Sequence, residues 1–283
     1  MGKIGLNLAG IKLRNPLILL SGTAGYGKEL GEIIDLSRLG GLICKTITLL
    51  PRKGNPPPRT AETASGLVNS IGLENPGLKQ FIKEVVPYVK NLPLPVLASI
   101  AGDKKELARM AKELEETGLL AGLELNLSCP NVSGGAFNPV SPADLHKTIK
   151  AVRQSVKMPI LAKLPPDLFR IESLVTAAED AGSDGLTIAN TFPAIVFDIR
   201  KRKPVLGGVT GGLSGPAILP LSLYLVFKAR QVTQLPILGS GGVFDGPSAV
   251  SMLLAGANAV GLGTVNFFRP DAYREILVAL KKH

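Results

Sequence analysis

Short apolar runs alternate along the chain with longer stretches in which apolar residues recur every three or four positions, the two periodicities of strands and helices. Apolar runs at Pro16–Leu20, Gly41–Cys44, Pro95–Ile100, Gly122–Leu127, Pro159–Lys163, Gly185–Ala189, Pro236–Gly239 and Asn258–Gly261 predict eight strands. Amphipathic stretches at Lys104–Thr117, Pro142–Val156, Ile171–Ala181, Ala217–Val232, Gly246–Ala255 and Asp271–Lys282 predict helices between and after them. Strands that alternate with helices imply a parallel sheet with crossover connections. Eight such units in 283 residues predict an α/β fold of the TIM (β/α)8 barrel type, closed by the final helix. An open doubly wound sheet is the alternative, but Gly22-Thr-Ala-Gly-Tyr-Gly27 does not have the Gly-x-Gly-x-x-Gly spacing such sheets carry after their first strand. Ile4–Leu8 and Ile11–Leu13, joined through Ala9-Gly10, predict a hairpin that caps the bottom of the barrel.

Composition narrows the class. With 45% hydrophobic and 19% charged residues, the chain can bury one large core, and a single domain over residues 1–283 is expected. No secretory leader is expected, because Met1-Gly-Lys-Ile4 leads into short alternating segments. The apolar runs are too short to span a bilayer, so no membrane association is expected. Two cysteines, Cys44 and Cys129, fit a reducing cytoplasm and supply neither a disulfide framework nor a metal or cluster site by the usual spacings. The net charge of +10 is spread along the helices and favours small anions or an acidic partner over nucleic acid.

In a barrel of this kind the chemistry collects at the C-terminal ends of the strands. Those ends carry Ser21-Gly22, Lys45-Thr46, Ser99, Asn126 to Cys129, Lys163, Asn190-Thr191, Gly239-Ser-Gly-Gly242 and Gly263-Thr264. The segment Glu124-Leu-Asn-Leu-Ser-Cys-Pro-Asn-Val-Ser-Gly-Gly135 places one thiol between two asparagines. Asn126 and Asn131 both donate and accept, so they can hold a planar heterocycle beside Cys129, which then serves as base or nucleophile. The alternative is a buried cysteine that ends a strand before a Pro-Asn turn. Gly241-Gly242 and Gly263-Thr264 can aim backbone N–H groups at a phosphate, with Gly215 as a further close approach, or they can simply form tight turns. Lys163 ends an apolar strand and needs an anionic or electron-rich partner, for which a flavin ring edge and a Schiff base are competing readings.

Two segments depart from the repeat. Residues 46–77 form a long Pro- and Gly-rich connection in which Asn69, Ser70, Ile71 and Gly72 can supply amide and backbone contacts. Residues 196–214 contain Arg200-Lys-Arg-Lys203, read as a solvated hairpin tip. Ser133-Gly-Gly135 is a possible hinge for a lid over Cys129.

Together these motifs resemble class 1 dihydroorotate dehydrogenase over essentially the whole chain. The resemblance rests on Asn126-Leu-Ser-Cys-Pro-Asn131, Lys45-Thr46, Asn69-Ser-Ile-Gly-Leu-Glu-Asn-Pro-Gly77, Asn190-Thr191, Thr210-Gly-Gly-Leu-Ser-Gly-Pro-Ala217 and the glycine pairs. The stretch Gly54-Asn-Pro-Pro-Pro-Arg-Thr-Ala-Glu-Thr-Ala-Ser-Gly66 is similar to the B subtype, with the fumarate-using A subtype as the alternative. The resemblance implies bound FMN, oxidation of dihydroorotate to orotate in pyrimidine biosynthesis, and a partner subunit with FAD and an iron–sulfur cluster that passes electrons to NAD. It also implies a homodimer within a heterotetramer.

Carried over by position, the resemblance makes Cys129 the base that takes the C5 proton while the C6 hydride leaves for the flavin. Lys45, Asn69, Asn126, Asn131, Asn190 and Thr191 would hold the pyrimidine, with backbone from Ser70, Ile71, Gly72 and Leu73. FMN would be held by Ser21, Lys45, Thr46, Asn126, Lys163, Ala189, Gly215, Gly241, Gly242, Gly263 and Thr264. Ser99 is a further FMN contact in this carry-over; it stands where the family commonly has Asn, and its hydroxyl is shorter and offers one donor. A Schiff-base lyase using Lys163 and a non-catalytic flavin electron carrier are the other classes open to this sequence.

Overall fold

The computed structural model describes residues 5–127 and 141–282. Eight parallel strands close into a barrel: β1 (Leu17–Leu19), β2 (Gly41–Ile43), β3 (Val96–Ile100), β4 (Gly122–Asn126), β5 (Ile160–Lys163), β6 (Gly185–Ile188), β7 (Ile237–Ser240) and β8 (Ala259–Leu262). Neighbours in space are neighbours in sequence, and β8 closes on β1 through Leu262 opposite Leu19. The sequence alternative of an open sheet is thereby excluded.

Each strand presents two faces because side chains alternate. Leu42, Ala98, Leu123, Leu125, Ala162 and Ile188 face outward and join the apolar faces of the surrounding helices in one buried cluster. The inward set Ile18, Ile43, Leu97, Leu161 and Leu238 forms a second cluster, which Leu8, Ile11 and Leu13 complete. Those three come from the expected hairpin, Leu6–Leu8 paired antiparallel with Ile11–Leu13, which plugs the N-terminal end of the barrel.

The helices follow the amphipathic stretches: Lys104–Glu116, Pro142–Ser155, Ile171–Asp180, Leu219–Arg230, Gly246–Leu254 and Ala272–Leu280. Two start on capping boxes, Asp103 with Glu106 and Asp245 with Ser248. A further helical segment, Leu78–Val89, includes a π-helical turn over Phe81–Val85.

The long connections carry structure of their own. Thr60–Thr63 and Gly66–Asn69, from the segment after β2, join Phe192–Ile195 and Thr210–Ser214, from the segment after β6, in a four-stranded antiparallel sheet. Phe197–Asp198 pairs with Lys203–Pro204, and Ile199–Arg202 form an exposed tip, the solvated hairpin expected for the cationic run.

Candidate active site

The inward-facing residues change character from the plugged end to the C-terminal end of the barrel. Above the apolar layers lie Ser99, Glu124, Asn126, Lys163, Thr187 and Ser240, all buried. Thr46 Oγ1 and Ser99 Oγ are 2.8 Å apart, Ser99 Oγ donates to Glu124 Oε1 at 3.0 Å, and Lys163 Nζ lies 3.7 Å from the same oxygen. Asn126 Nδ2 donates to Thr46 Oγ1 at 3.4 Å, and Asn190 Nδ2 donates to Asn126 Oδ1 at 3.3 Å. Residues from the ends of β2, β3, β4, β5 and β6 therefore form one connected polar floor.

Lys163 was expected to need a partner, and the fold supplies one that the sequence reading missed. Glu124 is in phase with Asn126 along β4, while Leu123 and Leu125 face the helices; that alternation is the signal that places it inside. Ser99 is engaged at both sides by Thr46 and Glu124, so its hydroxyl belongs to the floor.

The glycine-rich ends come together on the far side of the mouth. Gly241 and Gly242 both have positive φ, and a Cβ on Gly242 would fall 2.5 Å from the backbone nitrogen of Leu219, at the start of Leu219–Arg230. Thr264, just beyond β8, donates through Oγ1 to Ser214 Oγ at 2.7 Å, beside Gly215. Ser21 is buried at the end of β1 next to β8, and Ser240 Oγ donates to the Ala189 carbonyl at 2.7 Å. Gly215 has positive φ and packs against the backbone of Gly66, and with Gly241, Gly242, Gly263 and Thr264 it stands where the chain leaves Thr210–Ser214, β7 and β8, the part of the mouth where a barrel of this kind can present backbone N–H groups.

The four-stranded sheet supplies the opposite wall. Asn69 Nδ2 donates to the Gly212 carbonyl at 3.2 Å, and a Cβ on Gly212 would lie 1.9 Å from Thr191 Oγ1, so Asn69 and Thr191 meet across that glycine. Ser70 is spent within the wall: Oγ donates to the Thr210 carbonyl at 2.8 Å and N to the Arg59 carbonyl at 2.7 Å. Ile71 accepts from Asn55 N at 3.1 Å, and Gly72 and Leu73 both turn through positive φ. Lys45 Nζ stands 3.6 Å from Glu74 Oε2, which also holds Arg59 Nη1 at 2.9 Å. The Arg59 hydrogen bond and charge, with Lys45 behind them, hold the Glu74 carboxyl below its ordinary range. Neither Arg59 nor Glu74 was singled out by sequence, because both lie in a stretch without regular periodicity.

Cys129, Asn131 and the Ser133-Gly-Gly135 hinge lie outside the described residues. The other thiol, Cys44, is buried on the helix side of the barrel wall, and burial pushes it up to about 12. Among the described residues no cluster of three or more His, Cys, Asp or Glu could hold a metal, and no helix is long and apolar enough to cross a membrane.

A cradle of glycine backbone, a cation inside the mouth and a floor of amides fit a phosphorylated, planar, electron-accepting cofactor beside a small polar ring. The fold is a (β/α)8 barrel with its polar residues gathered at the C-terminal mouth. The family model for dihydroorotate dehydrogenase matches residues 4–283, and the chain belongs to that family. It is 41% identical over 283 residues to the dihydroorotate dehydrogenase B (NAD(+)) catalytic subunit of Desulforudis audaxviator, covering 99% of this chain and 92% of that one. The protein of the same name from Pelobacter propionicus is 41% identical over 279 residues (98% and 92%), and that from Caldicellulosiruptor bescii 42% over 273 (96% and 90%). Membership carries the family's activity: FMN-dependent oxidation of dihydroorotate in pyrimidine biosynthesis.

Proposed function

We propose that this single-domain chain is the FMN-bearing catalytic subunit of a B-type dihydroorotate dehydrogenase, acting in the cytoplasm. Its electrons pass to NAD through a second polypeptide that carries FAD and an iron–sulfur cluster, in a heterotetramer built on a dimer of this chain. The observation that carries the reading is the polar floor itself: Lys163 beside the joined amides of Asn126 and Asn190, facing a glycine cradle across the mouth. The relatives named above, matched along more than nine-tenths of this chain, support the B subtype.

Each wall then has a task. Gly215, Gly241, Gly242, Gly263 and Thr264 hold the phosphate, with Ser21 and Ala189 beside it, while Thr46, Asn126 and Lys163 meet the flavin ring. Lys45, Asn69, Asn126, Asn131, Asn190 and Thr191 hold the pyrimidine and its carboxylate, with the turn from Ser70 to Leu73 as backing. When bound, FMN supplies the two-electron acceptor that no side chain provides. Cys129 takes the proton from the carbon next to the substrate carbonyl, the step that needs a base close to neutral pKa. Lys45, paired with Glu74, offers its charge to the substrate carboxylate at the rim.

The routing of electrons is tested on the isolated chain. Reduced anaerobically with dihydroorotate, it should reoxidise slowly with either NAD or fumarate, and NAD turnover should appear only when the partner is added. Fast reoxidation by fumarate alone places the chain in the A subtype. Fast reoxidation by NAD alone removes the need for a partner.

A further inference from the structure

Within the eight barrel strands Glu124 is the one acidic residue and Lys163 the one basic residue. Both point inward. Glu124 has no exposed surface, Oε1 takes Ser99 Oγ at 3.0 Å and faces Lys163 Nζ at 3.7 Å, and Oε2 is buried without a hydrogen-bond partner among the described residues. A carboxylate placed this deep is costly, and a buried ion pair commonly contributes no more stability than apolar residues of the same volume. Packing therefore does not account for the pair.

Register gives the pair a direction. Lys163 lies opposite Asn126, whereas Glu124 lies opposite Leu161, one inward-facing layer deeper. The anion sits below and the lysine above it, at the level of the amides that line the mouth. Lysine is a point charge on a flexible four-carbon stem, and an ammonium in an apolar barrel goes wherever its best partner lies. Ser99, itself held by Thr46, fixes the carboxylate from the side.

We infer that Glu124 is a positioning residue: it anchors the Lys163 ammonium at the barrel mouth, and through it sets the reduction potential of bound FMN. The assignment rests on the proposed FMN site. Glu124 lies one inward-facing layer below Lys163 and acts through it.

The sign of one measurement separates positioning from a plain field effect. The reduced flavin carries negative charge. If Glu124 acted only as a distant charge, Glu124→Gln would remove a repulsion and raise the potential. If it anchors Lys163, the same substitution releases the ammonium from the ring edge and lowers the potential. The experiment is a redox titration of FMN on the wild type, Glu124→Gln, Lys163→Met and the double variant, with FMN dissociation constants measured alongside.

Glu124→Gln keeps the side-chain size and the acceptor for Ser99. It should shift the equilibrium between oxidised and reduced FMN about tenfold toward the oxidised form, about 30 mV for a two-electron couple. Lys163→Met should shift it in the same direction, and adding Glu124→Gln to Lys163→Met should lower it no further. An unchanged or raised potential in Glu124→Gln, or an equal further drop in the Lys163→Met background, overturns the assignment. Should Glu124→Gln not fold, Glu124→Asp carries the test, since it keeps the charge and shortens only the reach: a lowered potential upholds the anchor and an unchanged one refutes it. A wild-type chain that binds no FMN fails the proposed function; a wild-type chain whose bound FMN ignores Glu124 fails this inference alone.

Discussion

Cys44 is a small hydrophobe in the barrel wall, and its burial takes it out of the chemistry. Burial holds that thiol neutral up to about 12, and the proton-abstracting role proposed above is assigned to Cys129. Cys129→Ala should keep FMN and orotate bound but slow flavin reduction by roughly two to four orders of magnitude, the usual range for a lost general base, as stopped-flow bleaching would show. Cys44 has a consequence of its own for stability. Its folded value lies above the ordinary value of 9.0, so the folded state keeps a proton that the unfolded chain releases in alkali. The stability involved is fully present below about 9 and is lost as pH rises toward about 12. Melting temperature followed across that window should fall less steeply in Cys44→Ala than in the wild type; parallel slopes would show that the thiol does not contribute. At this scale the sequence made the strand-end residues legible because alternation and strand termini locate them. Glu124 is not legible as part of the site, because it opens the Glu124-to-Gly135 motif and only the alternation with Leu123 and Leu125 on β4 turns it inward.

The elements divide by how local their causes are. Each barrel strand lies within one residue of the apolar run that predicts it, since a strand buried on both faces writes itself as a short continuous apolar run. The four-stranded sheet over the mouth was not legible. Thr210–Ser214 contains two glycines, Phe192–Ile195 contains a proline, and the pairing joins segments 140 residues apart in the chain, so neither propensity nor spacing announces it. What holds it is close approach: a side chain on Gly212 would overlap Thr191. Gly212→Val should therefore cost about 1–3 kcal/mol in denaturant unfolding and weaken orotate binding, because Thr191 and Asn69 lose their register. Wild-type orotate affinity in that variant would dissociate the sheet from the substrate wall.

At the scale of the whole molecule the barrel has two ends with separate tasks. The hairpin of Leu6–Leu8 and Ile11–Leu13 fills the bottom, and the polar floor and glycine cradle occupy the top. Leu13→Ala should lower unfolding stability by about 2–5 kcal/mol, as buried leucine truncations do, while leaving the flavin potential and the rate of flavin reduction unchanged. A shift in either would mean that the two ends are coupled. The account's central claim is that this barrel takes a hydride from dihydroorotate onto FMN at the mouth. The most direct measurement is an anaerobic titration of the FMN-loaded chain with dihydroorotate, following flavin absorbance and orotate together. Bleaching of the flavin with stoichiometric orotate is the predicted result; a flavin that stays oxidised in the presence of excess dihydroorotate, or a chain that takes up no FMN, would contradict it.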